Sequence, residues 1–125
     1  MEEKRKFSRI LFETKAHIHT PDGQWQTRIH DLCLNGAMVE QPDGFAPAQG
    51  TELELVFTLP SSDVELRMTA DVMYHRKGFI GLQCAFIDVD SITHLRRLLE
   101  LNIGDSSLLN RELNQFIAEH DHPDE

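Results

Sequence analysis

Two arginines near the start of the chain, Arg5 and Arg9, have the side-chain chemistry best suited to bind a phosphate. They lie four residues apart in the basic segment Lys4–Arg9. A guanidinium group stays charged and donates paired hydrogen bonds to an anion. The first nine residues carry a net charge of +2, whereas residues 10–125 carry eight basic and 19 acidic side chains, a net charge of −11. Residues 1–9 lack helical periodicity, and we predict that they form a mobile, anion-binding arm.

A second candidate is the segment Asp31–Gly36, whose sequence is Asp-Leu-Cys-Leu-Asn-Gly. The Asn35-Gly36 dipeptide predicts a β-hairpin with a type I′ turn, which requires positive φ at both positions. Strand alternation places the side chains of Asp31 and Cys33 on the same face. Glycine permits a tight turn and the close approach of a ligand to the backbone. The segment is therefore either one wall of a binding site or an ordinary hairpin with a polar end.

Histidines form two pairs at the same spacing, His17 with His19 and His120 with His122. A metal site needs three or four converging ligands, and no Cys-x-x-Cys or His-Glu-x-x-His motif accompanies these pairs. We therefore expect surface histidines, no bound metal and no catalytic residues. The alternative that stays open is a small metal-dependent hydrolase that uses His17, His19 and nearby carboxylates.

Length and composition predict one globular domain. The chain has 125 residues, 40% of them hydrophobic and 26% charged, with a formal net charge of −9. Such a charge argues against binding to nucleic acid or to an anionic membrane surface. The sequence contains no apolar run long enough for a transmembrane helix and no secretory h-region. We therefore expect a cytoplasmic protein without membrane insertion, in which the two cysteines are reduced.

Period-2 alternation of apolar and polar residues predicts six strands. Turn residues separate them, as in Pro21-Asp22-Gly23 and at residues 60–63. Short strands joined mostly by turns indicate an antiparallel barrel or sandwich rather than βαβ units. The predicted strands are Thr14–Thr20, Gln24–Leu34, Ala37–Glu40, Thr51–Leu59, Val64–Tyr74 and Phe79–Ile87.

Helical periodicity begins after the sixth strand. Asp90 or Ser91 is a suitable N-cap for the first helix, and Gly104 a suitable C-terminal stop. Asp105 can cap a second helix. We expect the apolar stripes of both helices to pack on the barrel, and the alternative is a face that binds a partner. The stripes comprise Ile92, Leu95, Leu98 and Leu99 in the first helix, and Leu108, Leu109, Leu113, Phe116 and Ile117 in the second.

In this order, the arm and the hairpin resemble the PilZ domain family. That family combines an Arg-x-x-x-Arg arm with an Asp/Asn-x-Ser-x-x-Gly hairpin about 20 to 30 residues later, on a six-stranded barrel followed by helix. The resemblance covers nearly the whole chain, including Gly81-Leu82-Gln83-Cys84 on the last strand and residues 95–101 in the helix. Within the family, the sequence is most similar to the stand-alone, single-domain PilZ proteins. Members of the family are receptors for cyclic di-GMP, a bacterial second messenger.

The resemblance implies a role for each motif residue. Arg5 and Arg9 would hold the phosphates and the guanine edge, whose O6 and N7 acceptors suit an arginine. Asp31 would accept hydrogen bonds from guanine N–H groups or orient an arginine. Gly36 would keep the hairpin tight beneath the ligand.

Three further positions bear on the ligand. Tyr74 lies where relatives carry an aromatic residue and would stack on the ligand or line the site. Lys4 lies just before the first motif arginine, where a basic residue looks favourable for a stacked pair of nucleotides over a single one. Cys33 departs from the family by replacing serine. A lost neutral hydrogen bond costs about 0.5–1.5 kcal/mol, roughly two- to tenfold in affinity, so binding is expected to persist but weaken.

The expectation is thus a single PilZ domain over residues 1–125. It is a six-stranded antiparallel PilZ-type β-barrel at 13–88 with a mobile ligand-binding arm at 1–9, two C-terminal helices within 90–119 and a frayed tail at 120–125. It would bind cyclic di-GMP without cofactor or catalysis and signal to a downstream protein by reordering the arm. The alternative is a degenerate PilZ adaptor that binds a protein partner without nucleotide.

Overall fold

Six antiparallel strands close into a barrel, and two helices follow. The structure is a computed structural model that describes residues 7, 9–59, 62–104 and 106–120, without the side chains of Ser106 and His120. The strand order around the barrel is β1-β2-β3-β6-β5-β4. The elements are β1 (Ile10–Thr20), β2 (Gly23–Cys33), β3 (Gly36–Glu40), β4 (Glu52–Thr58), β5 (Glu65–Arg76), β6 (Phe79–Ile87), α1 (Val89–Ile103) and α2 (Ser106–His120).

The barrel interior is filled by the apolar half of each alternating strand. On β4, for example, Leu53, Leu55 and Phe57 are buried while Glu52 and Thr58 are exposed. A one-residue shift in register would move this whole set to the solvent face, so burial fixes the register of each strand. The largest side chains with almost no exposure include Ile18, Ile29, Leu32, Leu34, Leu55, Leu66 and Ile80.

The prediction of a type I′ turn at Asn35-Gly36 is wrong by one residue. Cys33 pairs with Gly36, so the two turn residues are Leu34 and Asn35. Neither of them has positive φ, because Lys77 is the one non-glycine residue with positive φ in the described part of the chain. The cause is tertiary, since Leu34 is fully buried in this register. The type I′ pattern of two positive φ values occurs instead at Lys77 and Gly78, between β5 and β6.

Helix α1 begins two or three residues earlier than an N-cap at Asp90 or Ser91 would give. The N-cap is Asp88, whose carboxylate accepts a hydrogen bond from the Ser91 backbone N–H at 3.0 Å. Ser91 itself is buried, and its hydroxyl accepts from the Arg67 backbone N–H of β5 at 3.1 Å. The predicted stop is confirmed, since Gly104 adopts the left-handed conformation at φ 81°.

Most of the apolar helix stripe packs into the common core, with α1 against β5 and β1 of the barrel and α2 mainly against α1. Leu95, Leu99, Leu109 and Phe116 are buried in the common core. Ile117 is the exception, because 49% of its surface remains exposed. Within the described residues, neither helix is long and apolar enough to cross a membrane.

The structure confirms the predicted barrel followed by two helices. The described histidines His17 and His19 have ring centroids 6.4 Å apart. The described residues contain no group of three or more His, Cys, Asp or Glu side chains that could hold a metal ion. The His120 side chain and His122 lie outside the described part of the chain. The division of the chain into arm, barrel, helices and tail stays a prediction.

Replacing Asp88 with alanine should lower the free energy of unfolding by about 1 kcal/mol at neutral pH, the usual contribution of an N-cap. The Ser91 backbone N–H and hydroxyl lower the pKa of Asp88 below the ordinary 3.8. A lowered folded-state pKa stabilises above the unfolded pKa, and this contribution is lost as pH falls through the folded-state value. Urea unfolding should therefore show a smaller difference between the two proteins at strongly acidic pH. Asp88→Asn, which keeps a neutral acceptor, is the control that should lose less. An equal loss for Asp88→Ala at both pH values would contradict the capping role.

Candidate binding pocket between two hairpins

A pocket of about 340 Å³ lies where the β2–β3 hairpin meets β5 and β6. The pairing of β3 with β6 brings these segments together, with Gly36 opposite Gln83 and Ala37 opposite Leu82. The described arm residues Phe7 and Arg9 complete one side, and Glu119 of α2 lines another part of the wall. The lining residues are Phe7, Arg9, Asp31, Cys33, Asn35, Gly36, Ala37, Met38, Met73, Tyr74, Gly81, Leu82, Gln83 and Glu119.

Arg9 and Asp31 form an ion pair in this pocket. The Arg9 Nε lies 3.6 Å from the Asp31 Oδ1. The Asp31 side chain is 7% exposed and the Arg9 side chain 35% exposed. A carboxylate that is this buried holds the arginine at one side and leaves the rest of the guanidinium fork available to the pocket. This contact joins the two motifs found in the sequence.

Cys33 lies in the pocket wall as a neutral thiol. Burial raises the pKa of Cys33 above the ordinary 9.0, while the nearby backbone N–H groups of Asn35 and Gly36 and the charge of Arg9 act in the opposite direction. Burial also raises the pKa of the second cysteine, Cys84, to about 12. Both thiols therefore stay protonated at neutral pH and are poor nucleophiles. The sulfur of Cys33 faces the turn that forms the tip of the hairpin.

Gly36 is required by the barrel wall itself. A Cβ atom at this position would collide with the Leu82 carbonyl oxygen and lie 3.2 Å from the Gln83 Cα. These are backbone atoms of β6, which cannot move aside as a flexible side chain can. The family resemblance implied that Gly36 keeps the hairpin tight beneath a ligand. The structure shows that the glycine also allows β3 to approach β6 closely at this position.

Tyr74 lies across the backbone of Gly81, its neighbour on β6. A Cβ atom on Gly81 would lie 2.8 Å from the Tyr74 Cε1 and closer still to two other ring atoms. The Tyr74 hydroxyl lies 3.8 Å from the Met38 sulfur, and the Arg76 guanidinium carbon lies 5.4 Å from the ring centroid. Tyr74 as a whole is 40% exposed. Its ring therefore forms an aromatic side of the pocket.

Several lining residues were missed by the sequence analysis because they reach the pocket through long-range pairing. Met38 and Met73 come from β3 and β5, and Glu119 comes from the last turn of α2. Asn35 also lines the pocket, and its Oδ1 is buried without a hydrogen-bond partner in the described structure. A buried acceptor of this kind favours a donor from a ligand or a water. Polarity at a hairpin tip was the one sequence feature that indicated Asn35.

Phe7 connects the arm to α2. Its side chain is 5% exposed, and its ring meets the edge of Phe116 at a centroid distance of 6.3 Å. Such edge-to-face pairs contribute about 0.5–1.5 kcal/mol beyond the area that they bury. The sequence analysis counted Phe7 only as a residue of the arm and did not predict this contact.

The described charges of the pocket are one cation and two carboxylates. They belong to Arg9, Asp31 and Glu119. Lys4 and Arg5, which the sequence analysis assigns to the ligand, lie outside the described residues. Of the other predicted ligand-binding residues, Arg9, Asp31, Cys33, Gly36 and Tyr74 all line this pocket.

Gly36→Ala should destabilise the protein by about 1–3 kcal/mol, the usual cost of forcing extra atoms into packed structure. Gly44→Ala is the control, because Gly44 also has positive φ, at 79°, but a Cβ there meets nothing within 4 Å. Its cost should be about 1 kcal/mol from backbone strain alone. Urea unfolding measures both. Equal losses for the two variants would show that the contact with β6 is unimportant.

The chain is similar to known proteins in sequence and in fold. A family model described as the PilZ domain matches residues 3–101. The PilZ domain of CeSA from a cellulose-synthesizing bacterium superposes with a TM-score of 0.59 at 18% identity, covering 73% of this chain and 93% of that one. The inhibitor of motility MotI/DgrA of Bacillus subtilis gives a TM-score of 0.67 at 18% identity, covering 90% of this chain and 53% of that one. This chain thus spans about half the length of the motility inhibitor, and at these identities the likeness is one of fold.

Proposed function

Since the chain belongs to the PilZ domain family, whose members are typically non-catalytic cyclic di-GMP receptors, we propose that it binds cyclic di-GMP in the pocket between the two hairpins. The observation that carries the proposal is the Arg9–Asp31 ion pair, which joins an arm arginine to the hairpin carboxylate inside that pocket. As a receptor for an intracellular messenger, the protein would act in the cytoplasm.

The charges of the pocket determine which residues must hold the ligand. Cyclic di-GMP carries two phosphates, and the described lining offers one cation against two carboxylates. A dianion would be repelled by such a set unless further cations join it. The basic residues nearest to Arg9 in sequence are Lys4, Arg5 and Lys6. The proposal therefore assigns Arg5 and Arg9 to the phosphates and guanine edge, with Lys4 favouring a stacked pair of nucleotides.

The remaining walls suit a purine. Tyr74 offers an aromatic ring held against Gly81, and the methionines Met38 and Met73 offer polarizable apolar surface around it. Base stacking on an aromatic side chain contributes about 1–3 kcal/mol. Asp31 and the buried Asn35 Oδ1 are acceptors that match the N–H donors of guanine.

The proposed signal is a change in the position of the arm. Phe7 packs on Phe116 of α2, and Arg9 pairs with Asp31 of β2. A ligand that draws Arg5 and Arg9 onto its phosphates would order the arm at a cost in conformational entropy and alter the surface around α2. A downstream protein would bind this altered surface.

Titration calorimetry with cyclic di-GMP should show binding to the wild-type protein. Arg9→Ala should weaken it by roughly ten- to a hundredfold, because a charge-assisted hydrogen bond contributes about 1.5–3 kcal/mol, and Arg5→Ala should do the same. Arg97→Ala is the control, since Arg97 is exposed on α1 outside the pocket. The same titration gives the number of nucleotides per chain.

Two outcomes would overturn the proposal. Absence of wild-type binding at concentrations on the order of tens of micromolar would favour the alternative of a PilZ adaptor without nucleotide. Wild-type affinity in Arg5→Ala would remove the arm from the mechanism. The metal-dependent hydrolase has no support from the described residues, which hold no group of three potential ligands, and intact cyclic di-GMP after incubation tests it.

Cys33→Ser should strengthen cyclic di-GMP binding by roughly two- to tenfold. A hydroxyl is a better donor and acceptor than a thiol, and one neutral hydrogen bond is worth about 0.5–1.5 kcal/mol. Cys84→Ser is the matched control, because Cys84 is buried without lining the pocket. An unchanged affinity in Cys33→Ser would mean that the sulfur contacts the turn alone and not the ligand.

A further inference from the structure

A second, apolar groove lies between the start of α1 and the end of α2. It has a volume of about 400 Å³ and is lined by aliphatic and aromatic side chains with a single threonine. One wall is formed by Val89 and Ile92 of α1, and the other by Leu113, Phe116 and Ile117 of α2. Sequence analysis left open whether the helix stripes pack on the barrel or bind a partner. In the structure some stripe residues are buried in the core, while others line this groove.

The lining residues that do not pack on the barrel are strongly exposed. Val89 is 77% exposed and Ile117 49% exposed, whereas Leu95 and Leu109 are fully buried. Exposed large apolar side chains around a concave site are characteristic of a protein-binding surface.

The groove is acidic at the start of α1. Residues 88–95 contain two carboxylates and neither lysine nor arginine, whereas Glu112 of α2 is buried. Asp88 and Asp90 are exposed beside Val89 at the start of α1. The hydrogen bond from Ser91 lowers the pKa of Asp88, which therefore keeps its charge well below neutral pH. A partner that combines apolar anchors with positive charge would therefore complement this end of the groove.

We propose that this groove binds a cationic amphipathic helix of a partner protein. A groove between two helices accepts apolar anchors at i, i+3, i+4 and i+7 of a third helix, whose basic face would meet the acidic rim. A second copy of this chain would bring the same negative charge to the contact, and an anionic membrane surface would be repelled by it. Charge complementarity thus selects a basic protein helix over both.

Helix α2 links the groove to the nucleotide pocket. Phe116 lines the groove and also contacts Phe7, and Glu119, one turn further along, lines the nucleotide pocket. Ligand binding that moves the arm would therefore change the groove through Phe116. This coupling rests on the proposed cyclic di-GMP binding, whereas the docking of the helix does not.

The probe is a fluorescently labelled amphipathic peptide of about four helical turns, built from leucine and lysine, with a leucine–glutamate peptide of the same pattern as its control. The 125-residue chain should bind the lysine peptide at least about tenfold more tightly than the glutamate peptide. Ile117→Asp and Val89→Asp should each weaken that binding by about tenfold or more. Leu101→Asp is the matched variant, because Leu101 is 73% exposed on α1 outside the groove, and it should leave binding unchanged. Far-ultraviolet circular dichroism checks that each variant is folded.

Equal binding of the two peptides, or a Leu101→Asp effect as large as that of Ile117→Asp, would overturn the proposed docking. A dimer in sedimentation velocity that Ile117→Asp dissociates would show that a second copy occupies the groove instead. Binding to phosphatidylglycerol vesicles that Ile117→Asp abolishes would show that a membrane surface does. The titration with cyclic di-GMP is run separately on the same samples. Peptide binding without any nucleotide binding would support the groove and remove the proposed receptor function. Nucleotide binding that leaves the affinity for the peptide unchanged would remove the coupling through Phe116.

Discussion

The close approach of β3 to β6 at Gly36 is the contact on which the rest of the structure depends. β3 is the shortest strand, Gly36–Glu40, and its pairing with β6 closes the barrel between the first three strands and the last three. The backbones lie so close there that no side chain fits. Because the same pairing brings the Asp31–Gly36 segment beside Tyr74 and Gly81, closing the barrel also forms the pocket. A substitution that separates β3 from β6 at Gly36 would therefore disturb the pocket as well as the barrel.

The charges close to the pocket matter more for its choice of ligand than the net charge of the whole protein. The protein is strongly acidic, yet its proposed ligand is a dianion. Exposed charges farther away than about 10 Å are largely screened at moderate salt, so the few groups near the pocket decide its preference. Asp31 pairs with Arg9 there, and the proposed binding takes its remaining positive charge from the basic segment Lys4–Arg9. The acidic residues elsewhere remain available for a basic partner. One molecule can thus carry two surfaces of opposite preference.

Sequence patterns predicted the local features of this protein well and its long-range features poorly. Alternation located all six strands because one face of each must be buried, and the helix stripe predicted Leu95, Leu99, Leu109 and Phe116 as core residues. The start of β1 was missed because a register shift between Leu11 and Thr14 breaks the alternation. The turn at Leu34-Asn35 was misplaced because burial of Leu34 outweighs the local preference of Asn-Gly. The motif residues of the site were predicted from the order of the two motifs. Met38, Met73, Gly81 and Glu119 depend on which strands and helices meet, and no local pattern contains that information.

The position of Tyr74 has a practical consequence. The chain contains one tyrosine and one tryptophan. Tyr74 lies in the candidate pocket, whereas Trp25 packs on Phe45 at a centroid distance of 4.4 Å near the other end of β2. Cys33 lies eight positions after Trp25 on β2, which corresponds to roughly 26 Å along a strand. The molecule therefore carries two natural chromophores at opposite ends of one barrel. Tyrosine emission reports on the pocket and tryptophan emission on the far end, so a local event in the pocket can be distinguished spectroscopically from a disturbance of the whole barrel without attaching a label.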